Sequence, residues 1–404
     1  MPEYTVQRLG LHGDGIVPGP LFAPMTLPGE QISGEPDGSK LTDVRIITPS
    51  AARVAAPCRH FKACGGCQLQ HASDDFVAEW KTDVVRSALK AHGLDSEIRP
   101  ILTSPPNSRR RAGFAARRTK KGAMAGFHGR ASDVIVEIPD CRLLTPAVLA
   151  GRELAEALAE QGGSRKGEMS VMVTETLGGL DVSVTGGKPL EAMQRQELAL
   201  LCGRMGVARL CWNDEVVATM APPLQRFGPA QVTPPPGAFL QATGDGEAAL
   251  TAAVREIVAD AGRVADLFAG SGTFSLPLAR RAEVHAVEGE AAMLAALEQG
   301  WRGAEGLKPV TTETRDLFRR PLLPDELARF DAVVLDPPRA GAEAQTAEIA
   351  RSGVARLAYV SCNPVSFARD VARLVEAGFA LDWVQPVDQF RWSSHVELVA
   401  ALTR

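Results

Sequence analysis

The stretch that most constrains the fold runs from Val264 to Leu278, V-A-D-L-F-A-G-S-G-T-F-S-L-P-L. An apolar run leads through Asp266 into a tight turn with Gly270 and Gly272, and a helix is expected from about Thr273. Strand, glycine turn and helix in that order make the first unit of a nucleotide-binding α/β fold. Glycines let the backbone approach a ligand, and a helix start offers free N–H groups. Taken alone, the turn also fits an ordinary strand-to-helix connection. It lacks the third glycine of the dinucleotide fingerprint and the Lys-Ser/Thr pair of a phosphate loop.

The sequence beyond Leu278 is more decisive. Strand and helix patterns alternate from Gly262 on, which predicts a mostly parallel sheet. Strands are expected at 264–268, 284–288, 310–314, 332–336, 357–361, 379–386 and 396–402. Ligands in such sheets sit beyond the carboxyl ends of the strands, and polar residues stand at those ends. Glu288 ends the second strand, placed to accept ribose hydroxyls. Asp316 comes after the third, Asp336 ends the fourth in V-V-L-D-P-P-R-A-G, and Cys362 ends the fifth in Y-V-S-C-N-P. Each acid alone is as easily a surface or capping residue; their serial placement is the signal.

The chain has 404 residues, room for two or three domains. Seven cysteines, an odd count without a signal-peptide-like start, argue against a disulfide framework. Cys58, Cys64 and Cys67 are spaced C-x(5)-C-x(2)-C, and Cys141 comes later in I-P-D-C-R-L-L. Four thiolates suit zinc or an iron–sulfur cluster. Cys202 and Cys211 have no partners at ligand spacing and are read as structural.

Net charge is −4, which excludes a general nucleic-acid-coating protein, but the distribution is uneven. Nine Lys and Arg and no acids lie between Ile98 and Ser132. Arg109, Arg110, Arg111, Arg117, Arg118, Lys120, Lys121 and Arg130 would lie on or near two strands around the Lys121-Gly122 turn, with Phe114, Phe127 and His128 between them. Guanidiniums fork onto phosphates and aromatics stack on bases. A plain solvated face is the alternative, and the absence of compensating acids favours RNA contact. Residues 73–92 predict an amphipathic helix with Phe76, Trp80, Val84 or Val85 and Leu89 inward, Ser73 as cap and Gly93 as end. No apolar run of 18 residues predicts a membrane span, and a cytoplasmic location is expected.

Together D-L-F-A-G-S-G-T-F, V-E-G, L-D-P-P-R-A-G, Y-V-S-C-N-P and H-V-E-L-V-A resemble the class I S-adenosylmethionine-dependent RNA uracil-5-methyltransferases. The upstream F-L-Q-A-T and the four cysteines match as well, and L-G-L-H-G-D-G-I-V near the start resembles a TRAM domain. The resemblance implies a Rossmann-like methyltransferase domain (72–96 and 236–404), an N-terminal OB-like barrel (1–53) and a central α+β RNA-binding domain (54–71 and 97–235). It implies Gln241, Phe268, Thr273, Glu288, Asp316 and Asp336 around S-adenosylmethionine, with Gly270 in the turn beneath. It implies Cys362 as nucleophile, Glu397 as base, and a [4Fe–4S] cluster on Cys58, Cys64, Cys67 and Cys141. The implied substrate is a uridine in 23S ribosomal RNA and the implied state a monomer.

Three positions depart from the pattern. Thr273 and Thr243 stand where the family usually has Asn, and Arg391 stands where it has proline, in F-R-W-S-S-H-V-E. Arg391 and Trp392 are therefore expected to alter base or RNA contacts. Alternative readings are a transfer-RNA uracil methyltransferase, an RNA cytosine-5-methyltransferase and an idle RNA-binding protein. Pro337-Pro338-Arg339, where cytosine enzymes carry a second cysteine, speaks against the second. Intact Cys362, Glu397, Glu288 and Asp336 speak against the third.

Overall fold

Short apolar runs from Arg263 onward build seven strands of a nine-stranded sheet in the computed structural model, which describes residues 1–404. Val310–Thr314, Glu283–Glu288, Arg263–Leu267, Ala332–Leu335 and Arg356–Ser361 lie side by side in that order and run parallel. Glu397–Thr403 and Ala380–Asp388 come next, each antiparallel to its neighbour. Parallel strands need crossovers, which cover both faces of the sheet. The core is accordingly split in two, one part around Val264, Val334 and Val360, the other around Leu267, Leu335 and Tyr359. Strand order reverses at Arg263–Leu267, so a crevice opens beyond that strand's carboxyl end.

The expected strands lie within about two residues of those observed, and the fold is that of a class I methyltransferase. Some expectations need correction. The helix after the glycine turn is one turn long, Ser275–Leu278, because Glu283 already starts the next strand. It offers little helix-start polarity to a ligand. Residues 97–103, assigned to the central domain, instead pair with the C-terminal sheet: Ile98 lies beside Val384 and Leu102 beside Val387. The hairpin Gln225–Phe227 and Ala230–Val232 likewise packs into the C-terminal core through Phe227, Ala230 and Val232.

The central region is a seven-stranded sheet carrying helices Pro146–Gly162 and Ala192–Arg204. Its core includes Phe114, Val171, Val182 and Leu154, and also Cys64, Cys67 and Cys141. The first 48 residues form a six-stranded sheet over Val6, Val17, Ala23, Ile32 and Leu41. Arg53 ties it to the next segment through an ion pair with the fully buried Glu30.

Helix Asp74–Ala91 starts at Ser73, whose hydroxyl accepts from the Phe76 amide. Its buried stripe is Val77, Lys81, Val85 and Leu89: the last two are as expected, whereas Val77 and Lys81 take the places expected for Phe76 and Trp80. Phe76 and Trp80 are half-buried and join a small cluster with Leu9 and Leu27. Lys81 turns inward because Asp388 waits there: its ammonium lies 2.6 Å from that carboxylate and 3.1 Å from the Phe390 carbonyl. Burial without such a partner would neutralise or expel it.

Candidate active site

The crevice floor is the turn after Leu267. Phe268, Gly270 and Gly272 all have positive φ, a conformation that is costly for phenylalanine and free for glycine. A side chain on Gly270 would meet open space, whereas one on Gly272 would press on Leu276 and Leu297. Glu288 fastens the turn from the next strand. Its carboxylate accepts the amides of Gly270 (3.0 Å), Gly289 (2.6 Å) and Glu290 (3.1 Å).

Phe268 meets Phe318 at 5.4 Å between ring centroids, forming an aromatic wall. Sequence pattern gave no sign of Phe318, since a half-exposed aromatic in a loop carries no motif. Asp316, beside it, accepts the amides of Phe318 and Arg319 and stays half open to solvent. Thr273 is half-buried at the turn's mouth. Thr243 caps helix Gly244–Val258 and bonds Ser104 at 2.7 Å, so this departure from the family pattern has a structural role.

Four carboxyl groups crowd the crevice. Asp266, fully buried, accepts from the Ser275 hydroxyl at 2.5 Å and is pushed up to about 7 by burial. Asp336 is raised well above the ordinary carboxyl range by loss of hydration and by Glu397, Asp266 and Glu288. Glu397, 4 % exposed, is raised to about 7 by burial, against a hydrogen bond from Gln389 and the charge of Arg339. Such a set suits a cationic, hydroxyl-bearing ligand: a sulfonium meets negative charge, and ribose hydroxyls find carboxylate acceptors. S-adenosylmethionine has that chemistry.

Cys362 begins the turn into helix Pro364–Glu376, at the end of strand Arg356–Ser361. Asn363 caps that helix and donates to the Arg339 carbonyl (3.0 Å), tying the Cys362 turn to the D-P-P-R loop. Burial pushes the Cys362 thiol up to about 11, and the nearby charges of Glu397 and Asp336 add to the rise. Arg339 pulls both Cys362 and Glu397 down. The structure thus gathers Cys362, Glu397, Asp336 and Arg339 around one spot. The Arg339 guanidinium also approaches His395 at 3.0 Å, and His395 meets the Phe390 ring edge-on.

The loop 388–396 is anchored from the N-terminal half. Arg391 pairs with Asp74 and bonds the Ser104 carbonyl at 3.1 Å. Trp392 donates to Asp74, and its carbonyl accepts the amides of Gln68 and Leu69. Both residues were expected to alter base or RNA contacts; in the structure they clamp the loop, because Asp74, in the first turn of a helix distant in sequence, faces them.

The basic stretch divides. Arg117, Arg118, Lys120 and Lys121 are exposed around the hairpin tip. Arg110 is not offered to RNA: it pairs with Glu247 and bonds the Gln241 carbonyl. Arg111 bonds the Gly237 carbonyl, and Arg109, largely buried, lies over the Phe390 ring. Arg130 turns inward to the Cys67 carbonyl at 2.7 Å.

Cys58, Cys64, Cys67 and Cys141 line one small, mostly apolar cavity of about 20 Å³ with Phe61, Phe127, Ile138 and Leu143. Gly65 and Gly66 allow the close wrap: a side chain on Gly65 would press on the His128 and Gly129 carbonyls. Burial raises the Cys64 and Cys141 thiols and pushes Cys67 up to about 12. No trio of His, Cys, Asp or Glu side chains converges at single-ion geometry. Four soft donors lining one cavity suit zinc or an iron–sulfur cluster.

A family model for tRNA (uracil-5-)-methyltransferases matches residues 193–404. A protein of Brucella suis described as an uncharacterized RNA methyltransferase is 44% identical over all of this chain and 98% of its own. A Halomonas elongata protein named 23S rRNA (uracil(1939)-C(5))-methyltransferase RlmD is 32% identical, covering 99% of this chain and 89% of its own. The crystal structure of a Pyrococcus abyssi tRNA (uracil-54, C5)-methyltransferase with S-adenosyl-L-homocysteine superposes over 99% of both chains, with TM-score 0.78 at 21% identity. No helix is long and apolar enough to cross a membrane. With the crevice, the carboxylate set and Cys362 in place, these matches show that the chain belongs to the S-adenosylmethionine-dependent RNA (uracil-5-)-methyltransferases.

Proposed function

We propose that this protein methylates C5 of a uridine in 23S ribosomal RNA through a covalent adduct between Cys362 and C6 of the base. The observation that carries the reading is the meeting of a thiol and a buried carboxylate, Cys362 and Glu397, at the edge of a cofactor crevice. Uracil C5 is a poor nucleophile. Addition of the Cys362 sulfur to C6 makes C5 electron-rich, and the thiol proton leaves to a cleft carboxylate or water. S-adenosylmethionine supplies the methyl group. Glu397 then accepts the C5 proton, and Cys362 departs as C5=C6 re-forms. Gln241, Phe268, Gly270, Thr273, Glu288, Asp316 and Asp336 are the residues assigned to hold the cofactor. The target base must be flipped into the cleft, which favours loops and unpaired sites over duplex.

Ribosomal RNA is favoured by the named Halomonas relative, which aligns over almost the whole chain. Transfer RNA is the second reading, since the family model bears that substrate in its description. Mapping 5-methyluridine in both RNAs from cells with and without the gene decides between them. One site in 23S RNA is expected to vanish; loss confined to transfer RNA would overturn the ribosomal reading.

We assign a [4Fe–4S] cluster to the four cysteines. When bound, it would tie the 58–67 loop to Cys141 through iron–sulfur bonds. Anaerobically purified protein is expected to show broad iron–sulfur absorbance that a Cys67→Ser substitution abolishes. A colourless protein containing zinc would refute the assignment. The exposed Arg117, Arg118, Lys120 and Lys121 are proposed to contact RNA phosphates, and residues 1–53 to form a TRAM-like RNA-binding barrel. The protein is assigned to the cytoplasm as a monomer.

A further inference from the structure

The helix that begins just after Cys362 carries a row of side chains aimed at one loop. Asn363 at its cap, then Ser366, Arg369 and Asp370, stand at helical spacing on one face. They hold the loop 337–342 by its main chain. The Asn363 amide and the Ser366 hydroxyl both donate to the Arg339 carbonyl at 3.0 Å, and Arg369 donates to the Ala340 carbonyl at 3.0 Å. Asp370 accepts the Ala342 amide at 2.7 Å. Pro337 and Pro338 have no N–H to give, so anchorage of the loop falls on these groups. Gly341 has positive φ and passes so close that a side chain there would collide with the Asp370 carboxylate and the Arg369 guanidinium. Asp370 is the centre of the row. It is 1 % exposed, and both its oxygens are engaged. One accepts the Tyr359 hydroxyl at 2.6 Å beside the Ala342 amide; the other accepts two Arg369 N–H groups at 2.7 and 2.9 Å. None of these contacts uses the Arg339 side chain, whose guanidinium hydrogen-bonds only His395.

We propose that Asp370 is a positioning residue for methyl transfer: it holds the loop 337–342 against the Cys362 turn, so that the Arg339 guanidinium stands beside the thiol that adds to uracil. The proposal rests on Cys362 being the nucleophile. Arg339 is the cation that favours the Cys362 thiolate, against Glu397 and Asp336, which oppose it. A guanidinium on an unanchored loop would divide its time between cleft and solvent. Fixing the backbone at residues 339, 340 and 342 confines it to the cleft. An apolar residue in place of Asp370 would fill the core, yet it would leave the Ala342 amide and the Tyr359 hydroxyl without partners.

The test compares single and double variants. Asp370→Asn keeps the size of the side chain and removes its charge. Formation of the RNA adduct in single-turnover reactions is expected to slow about tenfold, with the Kd for S-adenosylmethionine unchanged. The double variant Arg339→Ala/Asp370→Asn should be no slower than Arg339→Ala alone, because a positioning residue then has nothing left to position. Alkylation of Cys362 by iodoacetamide in the free protein, followed by mass spectrometry, adds a readout with a sign. Displacing the nearby cation should slow it about threefold or more, whereas a loosened fold would expose the thiol and speed it. Ser366→Ala removes one donor to the Arg339 carbonyl and leaves the buried acid in place. It should show the same effects at smaller size, and it decides the matter where Asp370→Asn fails to fold. Effects that multiply in the double variant, faster alkylation, or native adduct formation by both Asp370→Asn and Ser366→Ala overturn the proposal. Adduct formation by Cys362→Ala would instead remove the nucleophile reading on which it stands.

Discussion

Replacing Cys362 with alanine is expected to abolish methyl transfer, lowering turnover by on the order of 10⁴-fold or more while leaving cofactor binding intact. Cys362 stands at a strand end over the crevice, and no other cysteine approaches it: Cys202 and Cys211 are buried in the central core region, and the remaining four line the separate cavity. In the free protein its thiol, pushed up to about 11, holds its proton at neutral pH. Only roughly one molecule in 10⁴ carries the thiolate at pH 7. The rate of adduct formation should therefore keep rising from pH 7 to pH 9 rather than level off. Cys362→Ser should also be nearly inactive, since a hydroxyl is harder still to ionise. Turnover by Cys362→Ala within tenfold of the native rate would overturn the covalent route.

Glu397→Gln is expected to trap the adduct. The substitution keeps size and shape but removes the group that accepts the C5 proton, so addition proceeds and release stalls by about 10²–10⁴-fold. A protein–RNA species stable to denaturing electrophoresis should accumulate with a methyl group on the base. The native enzyme should show the same stall in acid. Glu397 lies at about 7 in the folded protein, raised by burial from an ordinary carboxyl value. Below that pH it is protonated and cannot accept. Adduct release should therefore fall about tenfold for each unit below pH 7 and be flat above it. Formation and release thus respond to pH through different groups. A release rate independent of pH between 5.5 and 8 would remove Glu397 from the role.

The parts legible in the sequence were those set by short-range pattern. The parallel strands read as apolar runs because both faces of the sheet are covered. Gly270, Glu288, Asp336 and Cys362 were recognisable because strand ends put functional groups at a common rim. Contacts over long sequence separations were not legible. Lys81 occupies a core position that no hydropathy pattern assigns to lysine, and only Asp388, 307 residues away, makes it one. Arg110 looked like part of an RNA-binding run, yet Glu247 occupies it. Arg391 and Trp392 sat in a motif of active-site residues, yet both reach back to Asp74. Residues 97–103 carried too few residues per strand to announce that they extend the C-terminal sheet.

The clamp formed by Asp74, Lys81, Gln68 and Leu69 bears on how the chain folds. The loop before Glu397 takes its shape from residues more than 300 positions earlier, so its contacts close very large loops in the unfolded chain. Loop-closure entropy makes such contacts late events in folding. The parallel strands can assemble from their own local crossovers, but Glu397 and the loop before it settle only once the helix at 74–91 has docked. Residues 193–404 carry the family signature and seven of the sheet's nine strands, while the loop before Glu397 is held in shape by the other half of the molecule.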